Sequence, residues 1–166
     1  RATTRGNGVE GDDVSENIML IKELPKIITN APKYLEVRGE VYMRHEEFER
    51  INSIRAKAGL DLFKNPRNLA AGSVKLLDLE ESKKRTLNVV IYSVGFFDPD
   101  SFFISQSNVM EKLTQWGFPK LEKFWLAKDT HEAAKYINKL DDLRHKFDYP
   151  TDGAVIKVNR IDQQIL

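Results

Sequence analysis

Tyr34-Leu-Glu-Val-Arg-Gly-Glu-Val-Tyr-Met43 alternates without a break. Leu35, Val37, Gly39, Val41 and Met43 point one way, and Tyr34, Glu36, Arg38, Glu40 and Tyr42 point the other. A period of two over this length marks a half-buried β-strand. The polar face, Glu-Arg-Glu between two tyrosines, has two readings. It is a solvated surface carrying a cross-strand ion pair of small energetic weight, or it lines a cleft where Glu40 accepts hydrogen bonds from a ligand's hydroxyls. Alternation alone does not separate them.

The chain around this strand has 166 residues, 41% of them hydrophobic, which is enough for a real core. Its 26 Lys+Arg nearly cancel 25 Asp+Glu, for a net charge of +1. That balance excludes a uniformly basic nucleic-acid coat and leaves room for a local basic groove. The absence of cysteine excludes disulfides and thiolate metal sites and fits a reducing cytoplasm. His45, His131 and His145 are scattered through polar, helix-like sequence, without the spacing of a metal site. No apolar run approaches the ~20 residues of a membrane span, and the first residues do not read as a signal peptide.

Before the strand, residues 3–11 are punctuated by Gly6, Gly8 and Gly11, either as a plain turn or as a backbone that approaches a phosphate closely. Asp12 and Asp13 are candidate caps for a helix with Val14, Ile18 and Ile21 on one face, ended by Leu24-Pro25. After the strand, a helix is expected over 45–58, with Phe48, Ile51 and Ile54 or Arg55 in register, a Glu46–Arg50 pair and Gly59 as the stop. Asn65 followed by Pro66 starts another helix and places Arg67 and Asn68 in its first turn. An arginine opposes the helix dipole there, so its charge either serves an external anion or is simply exposed. The small run 70–73 would let this helix pack very close to another backbone.

Residues 80–85 read as a charged linker. Residues 87–97 are almost wholly apolar and predict a central strand buried on both faces, with Tyr92 as core or as ligand platform. A turn at 98–101 leads to a helix capped by Ser105 or Ser107, with Val109, Leu113 and Trp116 on one face and Gly117 at its end. An edge strand is expected over 118–126, because Pro119 cannot donate to a ladder. Asp129 and Glu132 form a capping box for a helix to about residue 146, with Ile137, Leu140 and Leu143 as its stripe and Arg144 near its end. Pro150 and Gly153 then turn the chain into a strand over 154–159. Ala154, Ile156 and Val158 lie on one face, and Val155, Lys157 and Asn159 on the other. A lysine inside an apolar strand needs a partner, either a carboxylate such as Glu40 or Asp152 or a ligand's phosphate.

Four stretches occur in a fixed order: Thr4-Arg-Gly-Asn-Gly8, Leu35-Glu-Val-Arg-Gly-Glu40, Asn65-Pro-Arg-Asn68 with Ala71-Gly-Ser73, and Asp152-Gly-Ala-Val-Ile-Lys-Val-Asn159. Together with Trp116-Gly-Phe-Pro119 they make the whole chain resemble the adenylation (nucleotidyltransferase) domain of bacterial NAD-dependent DNA ligases. The resemblance implies an α+β fold in which antiparallel sheets form a nucleotide cleft with flanking helices. It implies that Glu40 accepts hydrogen bonds from the adenosine ribose, Tyr92 stacks on the adenine and Val155 packs on the opposite ring face. Lys157 would contact the AMP phosphate, and Asp152 would organise the reacting lysine and the metal. Arg5, Arg67 and Arg144 match arginines placed around phosphates of the nucleotide or the DNA. Lys75 stands where the family often has arginine, which keeps the charge but not the fork. Pro150-Thr151 departs from the commoner acidic-aliphatic pair.

The family's nucleophile is the lysine of a K-x-D-G motif, which does not occur in this sequence and which the family's order would put shortly before Arg1. Residues 1–166 are thus expected to be a partial adenylation domain, without the nicotinamide-recognising segment or the downstream DNA-binding modules, and inactive alone. The implied activity is self-adenylation from NAD+ with Mg2+, transfer of AMP to the 5′-phosphate of nicked double-stranded DNA, and sealing by the 3′-hydroxyl in replication and repair. The implied protein is a cytoplasmic monomer without membrane contact. The alternative is a non-catalytic nucleotide- or nucleic-acid-binding module derived from the same fold. An ATP-dependent relative is a weaker third reading, because 65–68 and 71–73 match the NAD-dependent branch.

Overall fold

A computed structural model describes residues 1–99 and 102–164. The expected strand forms as β1, Tyr34–Tyr42, and pairs with β2, Asn88–Asp98. The pairing is antiparallel: Lys33 N–H donates to Asp98 O at 3.1 Å, while Gly39 lies against Val90 and Ile91. A Cβ on Gly39 would stand 2.4 Å from the Val90 carbonyl oxygen and 2.6 Å from Ile91 Cδ1, so the strands approach this closely only because residue 39 has no side chain. Among the described residues the sheet has two strands, in place of the several antiparallel sheets expected. Nor is β2 buried on both faces. Val89 and Ile91 are buried, whereas Tyr92 and Phe96 are exposed, because double burial requires cover on both sides of the sheet. The Glu36 carboxylate and Arg38 guanidinium pair at 2.6 Å along the strand rather than across it, and both are exposed. The turn expected at 98–101 falls partly on residues outside those described.

The chain divides into two compact units, the first formed by Arg1–Leu24 with Val41–Val89 and the second by Pro25–Glu40 with residues 90–164. In the first unit, Thr4 N–H donates to Asp12 O at 2.9 Å and Asn7 Oδ1 accepts from the N–H groups of Val9 and Glu10, which closes the glycine-punctuated segment as a hairpin. Helix α1 spans only Ser15–Met19. Val14 occupies its cap position, while Asp13 accepts from Ser15 N–H, and Leu20, Ile21 and Leu24 donate in tighter bonds to carbonyls three residues back. The helix expected over 45–58 is α2, His45–Lys57, and α3 is Pro66–Val74 with Asn65 Oδ1 accepting from Arg67 and Asn68 N–H at 2.7 and 3.3 Å. The linker expected at 80–85 contains a helix, α4, Leu79–Lys83, capped by Asp78.

Helix α1 packs on α4 and α2 on α3 around Val14, Ile21, Met43, Ile51, Leu69 and Val74. Of the two residues expected to continue this face, Ile54 is exposed and Arg55 is half-buried. Asn17 is buried, and its Nδ2 donates to Leu76 O at 2.9 Å and Ser82 Oγ at 3.3 Å, tying α1 to α4 and to the end of α3. Arg50 pairs with Glu47 at 2.6 Å and not with Glu46, because Glu47 can also accept from Thr86 N–H at 2.8 Å. Burial pushes the Glu47 carboxyl up, but the Arg50 and Thr86 hydrogen bonds outweigh it and hold it below the usual carboxylate range.

In the second unit, α5 is Gln106–Gln115, capped by Ser105 Oγ, which accepts from Asn108 N–H at 3.1 Å. Its buried Val109 and Leu113 lie on the face predicted for them. Trp116 joins Phe102 and Phe103 in an aromatic cluster, with ring centroids 6.0 Å apart, and Phe97 meets Phe103 at 4.9 Å. The edge strand expected over 118–126 is absent: Phe118 is buried, Phe124 and Leu126 are exposed, and no ladder forms. Helix α6, Thr130–Leu143, has the expected capping box, with Asp129 accepting from Glu132 N–H at 2.8 Å. The Glu132 carboxylate accepts from Lys128 N–H. The stripe on α6 buries no residue, and Ile137 is 41% exposed. Contact instead comes from Tyr136, stacked on Trp125 at 5.3 Å.

The strand expected over 154–159 does not form either. The segment has no ladder, and Arg160 makes only an isolated bridge with Ser105. Alternation supplies two faces, but a strand exists only where another backbone edge takes up its hydrogen bonds.

Candidate functional site

Tyr92 and Lys157 lie far apart in sequence and meet in the second unit. The Lys157 ammonium stands 5.5 Å from the centroid of the Tyr92 ring, within the range of a cation–π contact. Tyr92 is 38% exposed, so its ring presents a face rather than filling the core. Period-two geometry explains this: Ile91 turns inward against Gly39, so Tyr92, the next residue, turns outward. Glu40, on β1, is exposed as well.

Lys157 finds the Tyr92 ring as its partner among the described residues, rather than the carboxylate that the sequence allowed. Loss of water around the ammonium lowers its pKa from the ordinary lysine value, although the residue as a whole stays exposed. The segment carrying Lys157 is extended and held at one end. Asn159 O accepts from Gln106 N–H at 2.7 Å, and Asn159 Oδ1 accepts from Ser107 N–H at 3.0 Å. Gln106, buried to 6% exposure, donates from Nε2 to the Tyr92 carbonyl at 3.1 Å. Gln106 gives no sequence signal of this, since it reads as an ordinary first-turn helix residue.

The other predicted residues on this segment are exposed. Val155 is 83% exposed, and Asp152 is also on the surface. A flat exposed ring with a cation beside it can take a planar base with an attached phosphate. Among the described residues no three His, Asp or Glu side chains converge as a metal cage. Asp152 is an exposed carboxylate on this segment, an oxygen donor of the type that Mg2+ takes beside water and ligand phosphates. Arg144 follows the end of α6, where its described partner is Asp141 on the same helix at 3.5 Å.

The remaining cations lie in the first unit. Arg5 is in the hairpin at 3–13 and is exposed. Lys75 caps the C-terminus of α3 and pairs with Asp12 of the same hairpin at 2.6 Å, which holds the Asp12 carboxyl below its usual range. Arg67 sits in the first turn of α3, so Arg67 and Lys75 mark opposite ends of that helix, about 12 Å apart along its axis. A shallow cavity of about 320 Å³ opens along α3, lined by Phe63, Asn65, Asn68, Gly72 and Arg85.

Residues 1–165 match the family described as NAD-dependent DNA ligase adenylation domain. The chain is 44% identical over 170 residues to DNA ligase 1 of Opitutus terrae, a match covering 99% of this chain and 25% of that protein. It is 42% identical over 162 residues to the DNA ligase of Acholeplasma laidlawii, covering 98% of this chain and 24% of the relative. With the DNA ligase of Buchnera aphidicola it shares 38% over 165 residues, covering 98% and 28%. The chain thus spans about a quarter of the length of these curated relatives. It belongs to the NAD-dependent DNA ligase adenylation domain family.

Proposed function

We propose that this domain holds the adenosine nucleotide of NAD+ while AMP is transferred to a lysine lying outside residues 1–166, in a protein that then seals nicked double-stranded DNA. The observation that carries the reading is the meeting of Lys157 with the exposed Tyr92 ring. Tyr92 stacks on the adenine, Val155 covers the opposite ring face and Glu40 accepts hydrogen bonds from the ribose. Lys157 binds the phosphate next to the adenosine and neutralises charge that builds on it during transfer. Its lowered affinity for a proton is restored as the anion arrives, so binding strengthens the charge where it is used. When bound, Mg2+ adds Lewis-acid stabilisation of the phosphate oxygens, and Asp152 is the residue here that would hold it.

Arg5, Arg67, Lys75 and Arg144 contribute phosphate contacts to nucleotide or DNA, which position the substrate without reading its sequence. A reducing cytoplasm fits the absence of cysteine, and no described helix is long and apolar enough to cross a membrane. The decisive experiment is on the whole protein that contains this domain. Lys157→Ala is expected to lower adenylation from NAD+ by at least ~100-fold while the fold is retained. Near-normal adenylation and sealing by that variant would remove Lys157 from the site. A folded wild-type protein that accepts AMP from neither NAD+ nor ATP would instead be a binding module of this fold.

A further inference from the structure

We propose that Asn159 and Gln106 are positioning residues that join the segment carrying Lys157 to the strand carrying Tyr92, so that phosphate contact and base platform are held as one piece. The inference rests on the nucleotide-site reading above. Residues 154–158 have no ladder of their own, and all five are exposed. Nothing regular in that backbone fixes where Lys157 points. The hold comes from the end of the segment, where Asn159 accepts with its main-chain oxygen from Gln106 N–H at 2.7 Å and with Oδ1 from Ser107 N–H at 3.0 Å. Those two N–H groups open α5 and have no partner inside their own helix. Asn159 therefore satisfies donors that the helix leaves over.

Gln106 carries the connection onward. Its side chain is buried, and Nε2 donates to the main-chain carbonyl of Tyr92 at 3.1 Å. Gln164 adds a brace by donating to Val158 O at 2.6 Å. The path from Lys157 to Tyr92 thus runs through one residue of backbone, two hydrogen bonds at α5 and one amide, and it closes on the cation–π contact. Each link is a directional hydrogen bond, so losing one frees the segment to swing without emptying the core. Misplacing a reacting group by about 1 Å can lower a rate on the order of 100-fold.

The test compares Asn159→Ala with Asn159→Asp in the whole protein, and adds Gln106→Leu as a second break in the path. Asn159→Ala loses the acceptor for Ser107 N–H. Asn159→Asp keeps it and adds a negative charge at a helix N-terminus, where it is welcome. Asn159→Ala and Gln106→Leu are expected to lower kcat for adenylation from NAD+ by about 10- to 100-fold, with KM within about twofold, and Asn159→Asp to recover most of the rate. The ε-methylene resonances of Lys157 should lose their ring-current shift in Asn159→Ala and regain it in Asn159→Asp. Unchanged kcat in Asn159→Ala, or equal losses in the alanine and aspartate variants, overturns the proposal. If Gln106→Leu melts early, the Asn159 pair and the resonance readout still decide. Lys157→Ala, run in parallel, separates the two ideas: loss of activity there with normal Asn159→Ala sinks the clamp alone, and normal activity in Lys157→Ala sinks the nucleotide site beneath it.

Discussion

Residues 34–42 and residues 154–159 have the same alternating pattern, yet only the first is a strand. Both carry apolar residues at every second position, with charged or polar side chains between them except at Val155. The difference lies in what is beside them. β1 has the edge of β2, approached closely at the side-chain-free position 39. The later segment has a helix N-terminus at one end and a single bridge at Arg160. Periodicity therefore measures readiness to pair, and a free backbone edge decides whether pairing happens. For function the contrast is useful: the paired strand is a fixed platform, while the unpaired segment presents Lys157 on a tether.

Amide hydrogen exchange tests the contrast at its largest. The β1 amides that face β2 should exchange slower than those of residues 154–158 by a factor on the order of a thousand or more, because the latter need no cooperative opening. Comparable protection in both would mean that 154–158 is paired in solution. Glycine substitution gives the next largest effect. Gly39→Ala should destabilise by about 1–3 kcal/mol, since its Cβ would meet the Val90 carbonyl, a backbone atom that cannot step aside. Gly153→Ala meets nothing within 4 Å and should stay within about 0.5 kcal/mol of wild type. Thermal melting of the two variants checks the pair, and equal losses would erase the distinction between platform and tether.

The smallest effect is electrostatic. Followed by NMR, Lys157 should titrate below the ordinary lysine value of about 10.4, because the fold withdraws water from its ammonium. The linkage follows from that direction. The unfolded chain holds this proton more tightly, so the native state is slightly penalised at neutral pH. The penalty fades as pH rises from the native pKa towards the unfolded one. A midpoint at or above the ordinary value would place a carboxylate beside Lys157 instead of the Tyr92 ring.

Local rules read well wherever the interaction is local. Asn65-Pro66, Ser105 and the Asp129–Glu132 box cap their helices as their side chains predict, because each donor lies within a few residues of its acceptor. Errors cluster where the partner is distant. Arg50 chose Glu47 over Glu46 because Thr86 N–H also binds that carboxylate, and α4 formed inside a stretch whose charges suggested a linker because Asp78 caps it. The stripe on α6 is legible, but the described residues do not bury it.

By itself the sequence determined the family and the residue types at 34–43 and 154–159, since ordered motifs and alternation are properties of the chain alone. It also determined where most helices begin, because caps are made by neighbours. Only the tertiary structure decided that Tyr92 is an exposed platform and that Lys157 rests on it. It likewise decided that Gln106 and Asn159 connect the two. Those outcomes depend on which backbone groups are left without partners after each element forms, and such leftovers are settled between residues far apart in the chain.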